Sequence, residues 1–179
     1  MIDKTKYFYW LTGSEEEQEK EIVWREMYSA IGYIVHLMQM IDYNIANILA
    51  ISDMNTKILE KEPLTEQEYV EIKDKAKEFY NKIISISTGR LRDKFKNSPL
   101  LSSDDVSLIQ DAIKKRNEII HKIFIDDLVA KKFDNLEEVD KYIDYLNKFE
   151  EDLRNLNEEL LCIFRDNRFQ LILFKTVLK

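Results

Sequence analysis

Three glycines and two prolines in 179 residues leave this chain few places to turn sharply. A β-sandwich or barrel needs such residues at its many tight turns, so an all-β fold is excluded. The same scarcity argues against an α/β fold built around glycine-rich phosphate loops. The single cysteine, Cys162, can form neither an internal disulfide nor a multi-thiolate zinc site. A chain of about 150 residues buries about 70% of its unfolded surface, so no covalent staple is needed. Hydrophobic residues at 45% and charged residues at 34% are too balanced for disorder. The length reads as one helical domain spanning 1–179.

Apolar spacing places the helices. Ser14 and Glu17 form a capping box, Ser-x-x-Glu, that predicts a helix start. Apolar residues then recur at three- and four-residue steps from Ile22 to Leu49, and the pattern predicts a helix to about Ser52. Such a helix is about 55 Å long at 1.5 Å per residue, and Gly32 within it suggests a close crossing with another helix. Thr65 and Glu68 form a second capping box, opening a helix to about Ile86. Thr88-Gly89 ends it, and a basic turn follows from Arg90 to Lys96. Ser102, Ser103, Asp104 and Asp105 favour a third N-terminus, where carboxylates suit the helix dipole. That helix runs from about Ser103 to Ile125, with Ile109, Ala112, Ile113, Ile120, Ile123 and Phe124 as its apolar row. The last long helix is expected from near Asn135 to about Asp166, followed by a separate apolar helical segment over Phe169–Leu178. The expected fold is all-α: an antiparallel four-helix up-and-down bundle with an additional short helix and a C-terminal helical extension.

Charge narrows the partners. The net charge is −7, and an acidic surface repels phosphate. The segment from Arg90 to Lys122 differs: eight basic against five acidic residues give +3, and the rest of the chain carries −10. The first eleven residues include Asp3, Lys4 and Lys6 and do not resemble a secretory signal. No run of about 20 apolar residues is apparent. The reading is therefore a cytoplasmic protein without a membrane partner.

The third helix carries the residues with chemistry: Lys115-Arg116-Asn117-Glu118-Ile119-Ile120-His121-Lys122. Arg116 occupies the apolar row, an expensive position for a guanidinium unless it is paired or borders water. His121, five residues on, lies about 140° around the helix from Arg116, whereas Asn117 and His121 share a face.

Arg116, Asn117 and His121, with four residues between the arginine and the histidine, resemble the motif of the HEPN superfamily of helical ribonucleases and RNA-binding modules. Gly32 and Gln39-x-x-Asp42 on the first helix, and Thr88-Gly89-Arg90-Leu91 after the second, are similar to segments found in that superfamily. The similarity of architecture runs from about Trp24 to Phe164. One toxin branch has a tyrosine two residues after the histidine; here Ile123 stands in that place. The resemblance implies a homodimer through the motif helix, in which both copies of Arg116 and His121 enter one cleft. It implies metal-independent, cofactor-free RNA cleavage, with catalytic roles for Arg116, Asn117 and His121. A histidine suits general acid–base work because its ordinary pKa is near 6.5, and an arginine suits charge developing on phosphorus. It also implies a toxin or antiviral effector, held in check by an inhibitory protein partner. From charge alone, Arg90, Arg92, Lys94, Lys114, Lys115 and Lys122 are expected to hold the RNA backbone.

Other readings stand beside these. His121 fits an ordinary helix histidine, Asn117 a polar interface residue, and Arg116 a partner for Asp42 or Glu118. His36 reads as a core or interface histidine. Glu118-x-x-His121 is half of a di-iron bundle motif, but His36, the only other histidine, has Tyr33 three residues before it. The alternative function is a non-catalytic helical module that binds RNA or a protein.

Overall fold

The computed structural model describes residues 14–61, 63–86, 92–125 and 136–177. Among them are five helices and no strand: α1 (Glu15–Leu59), α2 (Glu66–Ile84), α3 (Arg92–Lys96), α4 (Ser103–Ile125) and α5 (Leu136–Val177). The chain divides into two compact units, one of Met1–His36 with Arg116–Asp152 and one of Leu37–Lys115 with Leu153–Lys179.

Side chains set the helix starts. Ser14 donates its backbone N–H to the Glu17 carboxylate at 2.8 Å, and the Glu17 N–H donates to the Ser14 hydroxyl at 3.3 Å. Thr65 and Glu68 repeat this at 3.0 and 3.3 Å. The backbone N–H bond, then the hydroxyl bond, holds each of these carboxyls below its ordinary pKa. α4 has a third box. The Ser102 N–H donates to Asp105 at 2.7 Å, and the Asp105 N–H returns to the Ser102 hydroxyl at 3.1 Å. Each box satisfies donors that the first helical turn leaves unpaired.

In the first unit, Met27, Ile31 and Ile34 of α1, Ile119 of α4, and Val139, Ile143 and Leu146 of α5 are buried. Their three- and four-residue steps put them on one stripe of each helix. In the second unit, Met54 and Ile58 of α1 cluster with Leu64 and with Ile72 and Ala76 of α2. That cluster explains why α1 runs to Leu59, seven residues past the expected end. The segment after Ser52 looks polar, but its apolar positions continue the buried stripe. Lys57 pairs with Asp53 one turn back at 2.6 Å. α3 has only five residues, and its Phe95 is fully buried.

Three further expectations change. The final helix and the C-terminal segment are one helix, Leu136–Val177. Asn167, at the expected break, donates its amide to the Ile163 carbonyl at 2.8 Å, bonding within the helix instead of ending it. Gly32 marks no helix crossing among the described residues: it is exposed, and a Cβ there meets none of them within 4 Å. α1 also contains a stretch long and apolar enough to cross a membrane by length and composition, half of it buried. The reason is that Asp42 is the only Asp, Glu, Lys or Arg between Glu26 and Asp53. Thr88, Gly89 and the expected connection from Asp126 to Asp134 lie outside the described residues.

One polar contact in the core fixes register. In the second unit, Asn44 of α1 donates its side-chain amide to the Asn157 side-chain oxygen of α5 at 2.9 Å, and both residues are buried. A buried amide pair satisfies itself at one alignment of the two helices and at no neighbouring one. Asn157→Leu strands the Asn44 amide and is expected to cost about 1–3 kcal/mol, read as a lower urea midpoint. Adding Asn44→Leu is expected to recover most of that loss, because removing both partners leaves nothing unpaired. An unchanged midpoint in the single variant would contradict the assignment.

Candidate active site

α4 presents the motif. From the Ser102 cap, its buried positions are Asp105, Ile109, Ala112 and Ile119. Steps of four and three residues connect them if position 116 is counted, and Arg116 stands there. The sequence reading missed Ile119, which is 2% exposed, and favoured Ile120, which is half-buried. Two adjacent isoleucines look alike by composition, and only the register set by Ile109 and Ala112 separates them.

Arg116 is half-buried. Its Nε is shut off from solvent and has no hydrogen-bond partner among the described residues. An unpaired buried donor costs about 1–3 kcal/mol. Glu118, two residues on, lies about 200° around the helix and is exposed. That corrects Glu118 as its partner.

Asn117 and His121 are both exposed. With Lys114, also exposed, they follow steps of three and four residues along the outward face of α4. Within one chain, Asn117 and His121 thus share a face and Arg116 does not. The arrangement can offer an imidazole and an amide to a ligand on the outside of α4, with a guanidinium on the edge of the buried stripe.

Of the basic residues expected to hold RNA, Lys94 and Lys114 are exposed, and Lys115 is half-buried and already engaged in a contact. Arg90 lies outside the described residues, as do the side chains of Arg92 and Lys122. His36 is not a core residue: it is exposed, with its ring 6.1 Å from that of Tyr33. Cys162 is exposed. Among the described residues, no group of three or more His, Cys, Asp or Glu side chains is placed to hold a metal ion.

The structure adds a feature that sequence reading did not find. In the second unit, a shallow, largely open cleft of about 460 Å³ is lined by residues of α1, α2, α3 and the segment after α3. Its walls come from positions up to 50 residues apart, so no local pattern signals it. Lys94 lines this cleft, with its Nζ 5.1 Å from the centroid of the Phe79 ring.

No protein-family model, no curated protein and no solved structure matches the chain.

Proposed function

We propose that this chain is a HEPN-like endoribonuclease that cleaves RNA without a metal ion, in a composite site formed by two copies. The observation that carries the reading is the placement of Arg116 within Arg116-Asn117-x-x-x-His121. The arginine is half-buried with an Nε unpaired among the described residues, on a helix whose exposed face carries Asn117 and His121. A residue this costly to its own unit is expected to act on something outside it.

In this account the helices form an antiparallel four-helix bundle, and two bundles meet along α4. One His121 takes the proton from a ribose 2′-OH. The 2′-oxygen attacks the adjacent phosphorus, and the bond to the 5′-oxygen breaks. His121 of the second copy gives a proton to that leaving oxygen. Arg116 stabilises the charge gathering on the non-bridging oxygens, and Asn117 orients the histidine or the phosphate. The products are a 2′,3′-cyclic phosphate and a 5′-hydroxyl. A cytoplasmic toxin or antiviral effector, restrained by an inhibitory partner, is the role that fits this chemistry. An acidic protein at −7 acts on few RNAs, because most phosphates are repelled.

The 2′-OH requirement gives the test. In EDTA, the protein is expected to cut a mixed-structure RNA and to leave DNA of the same sequence intact. Cleavage of DNA, or a need for magnesium, would contradict the mechanism. A monomer by light scattering at micromolar concentration would contradict the composite site. Binding of RNA without cleavage would favour the non-catalytic module.

A further inference from the structure

The outward side of α1 carries a row of residues whose spacing is its own mirror image. Ser29, Gly32, His36, Met40 and Tyr43 follow steps of three, four, four and three residues. At about 100° per residue they fall within an arc of about 80°. α1 is one unbroken helix, so this row is set by that helix alone. Ser29, Gly32 and His36 are exposed, Met40 is 39% exposed and Tyr43 is 51% exposed. Two small residues stand on one side of His36, and two large ones stand at the same distances on the other. The Tyr43 ring is braced by that of Tyr80, nearly perpendicular to it at 6.0 Å.

The row is also uncharged. Asp42, the only Asp, Glu, Lys or Arg between Glu26 and Asp53, is half-buried and lies about 120° from the centre of the row. On α2, by contrast, the exposed residues Glu71, Lys73, Asp74, Lys75, Lys77 and Glu78 fill two turns. Two copies of a chain at −7 repel across most of their surfaces. They meet most favourably where neither presents a carboxylate. A two-fold axis through His36, with the helices antiparallel, sets Gly32 opposite Met40 and Ser29 opposite Tyr43, and makes each contact twice. Small thus faces large at every step, and His36 faces its own copy. A Cβ at Gly32 meets none of the described residues within 4 Å, which leaves room for Met40 of a second copy. We propose that α1 is a self-association seam on which two copies pack antiparallel about His36. The seam is separate from α4 and does not rest on the ribonuclease reading. It also gives the membrane-length apolar stretch of α1 a use that needs no membrane.

Analytical ultracentrifugation of the full chain at micromolar concentration reads the seam. Gly32→Leu puts a branched side chain where Met40 of the second copy packs, and is expected to weaken association by about 10-fold or more. His36→Glu sets two carboxylates face to face and is expected to abolish association. Both positions are exposed, so circular dichroism is expected to show wild-type helix content in both variants. The mass falls from tetramer to dimer if α4 also pairs, and from dimer to monomer if it does not. Either fall supports the seam, and RNA cleavage in EDTA decides the ribonuclease reading separately. Engineered thiols test the alignment in a Cys162→Ser background. Gly32→Cys mixed with Met40→Cys is expected to give a disulfide-linked pair. Gly32→Cys alone is expected to give none, because the two copies of position 32 lie about 12 Å apart along antiparallel helices, beyond the roughly 7 Å that a disulfide spans. Cross-linking of Gly32→Cys alone overturns the antiparallel alignment. A monomeric wild type, or masses unchanged in both variants, overturns the seam. A monomeric wild type that binds phosphatidylglycerol vesicles overturns it in favour of a lipid surface.

Discussion

His121→Ala is expected to reduce RNA cleavage by about 100- to 10,000-fold, the range that one positioned general acid–base group supplies. In a two-copy site the change removes both imidazoles, so base and acid are lost together. Stability is expected to stay within about 0.5 kcal/mol of wild type, because His121 is exposed on α4. That combination separates the catalytic reading from the ordinary helix histidine, which predicts neither a rate loss nor a stability change. The measurement pairs a cleavage time course with a thermal melt on the same preparation. A variant that cleaves as fast as wild type would remove His121 from the mechanism.

Arg116→Leu is expected to move activity and stability in opposite directions. Arg116 occupies a step of the buried α4 stripe that also holds Ile109, Ala112 and Ile119, and its Nε is buried without a partner among the described residues. Leucine suits that step and strands no donor. The variant is expected to gain about 1–3 kcal/mol, which at about 2–4 °C per kcal/mol for a chain of this size is a visible rise in melting temperature. Cleavage is expected to fall about 100- to 1,000-fold, the range for losing one charge-stabilising donor. The reading in which Arg116 merely specifies the bundle predicts the reverse: a destabilised variant. A fall in melting temperature would therefore favour that reading and weaken the functional one.

The parts of this structure that were legible in the sequence are those with local causes. The Ser14–Glu17 and Thr65–Glu68 boxes need only a four-residue pattern, and both are formed. α4 spans Ser103–Ile125, as the serines, aspartates and apolar spacing indicate. Arg116 on an apolar row was likewise readable from spacing alone, and its burial follows. What escaped depends on contacts distant in sequence. The end of α1 is decided by packing of Met54 and Ile58 with Leu64, Ile72 and Ala76. Ile119 and Ile120 differ only by register. The α5 helix passes Asn167 because the amide turns back to Ile163, a choice that composition does not reveal. Gly32 looked like a packing device and is open to solvent. Lys94 read as one member of a basic turn, and only the fold places it over Phe79. The Arg116–His121 separation was also readable: the two lie about 140° apart, and the structure leaves one half-buried and the other exposed.

Cleavage of RNA by Arg116 and His121 without a metal ion leaves a chemical signature at the product ends. The most direct measurement incubates end-labelled RNA in EDTA with wild type, Arg116→Leu and His121→Ala, purified identically, and identifies the product ends. Wild type is expected to leave 2′,3′-cyclic phosphate and 5′-hydroxyl ends, and either variant almost none. Equal cleavage by all three proteins, or intact RNA after incubation with dimeric wild type, would contradict it.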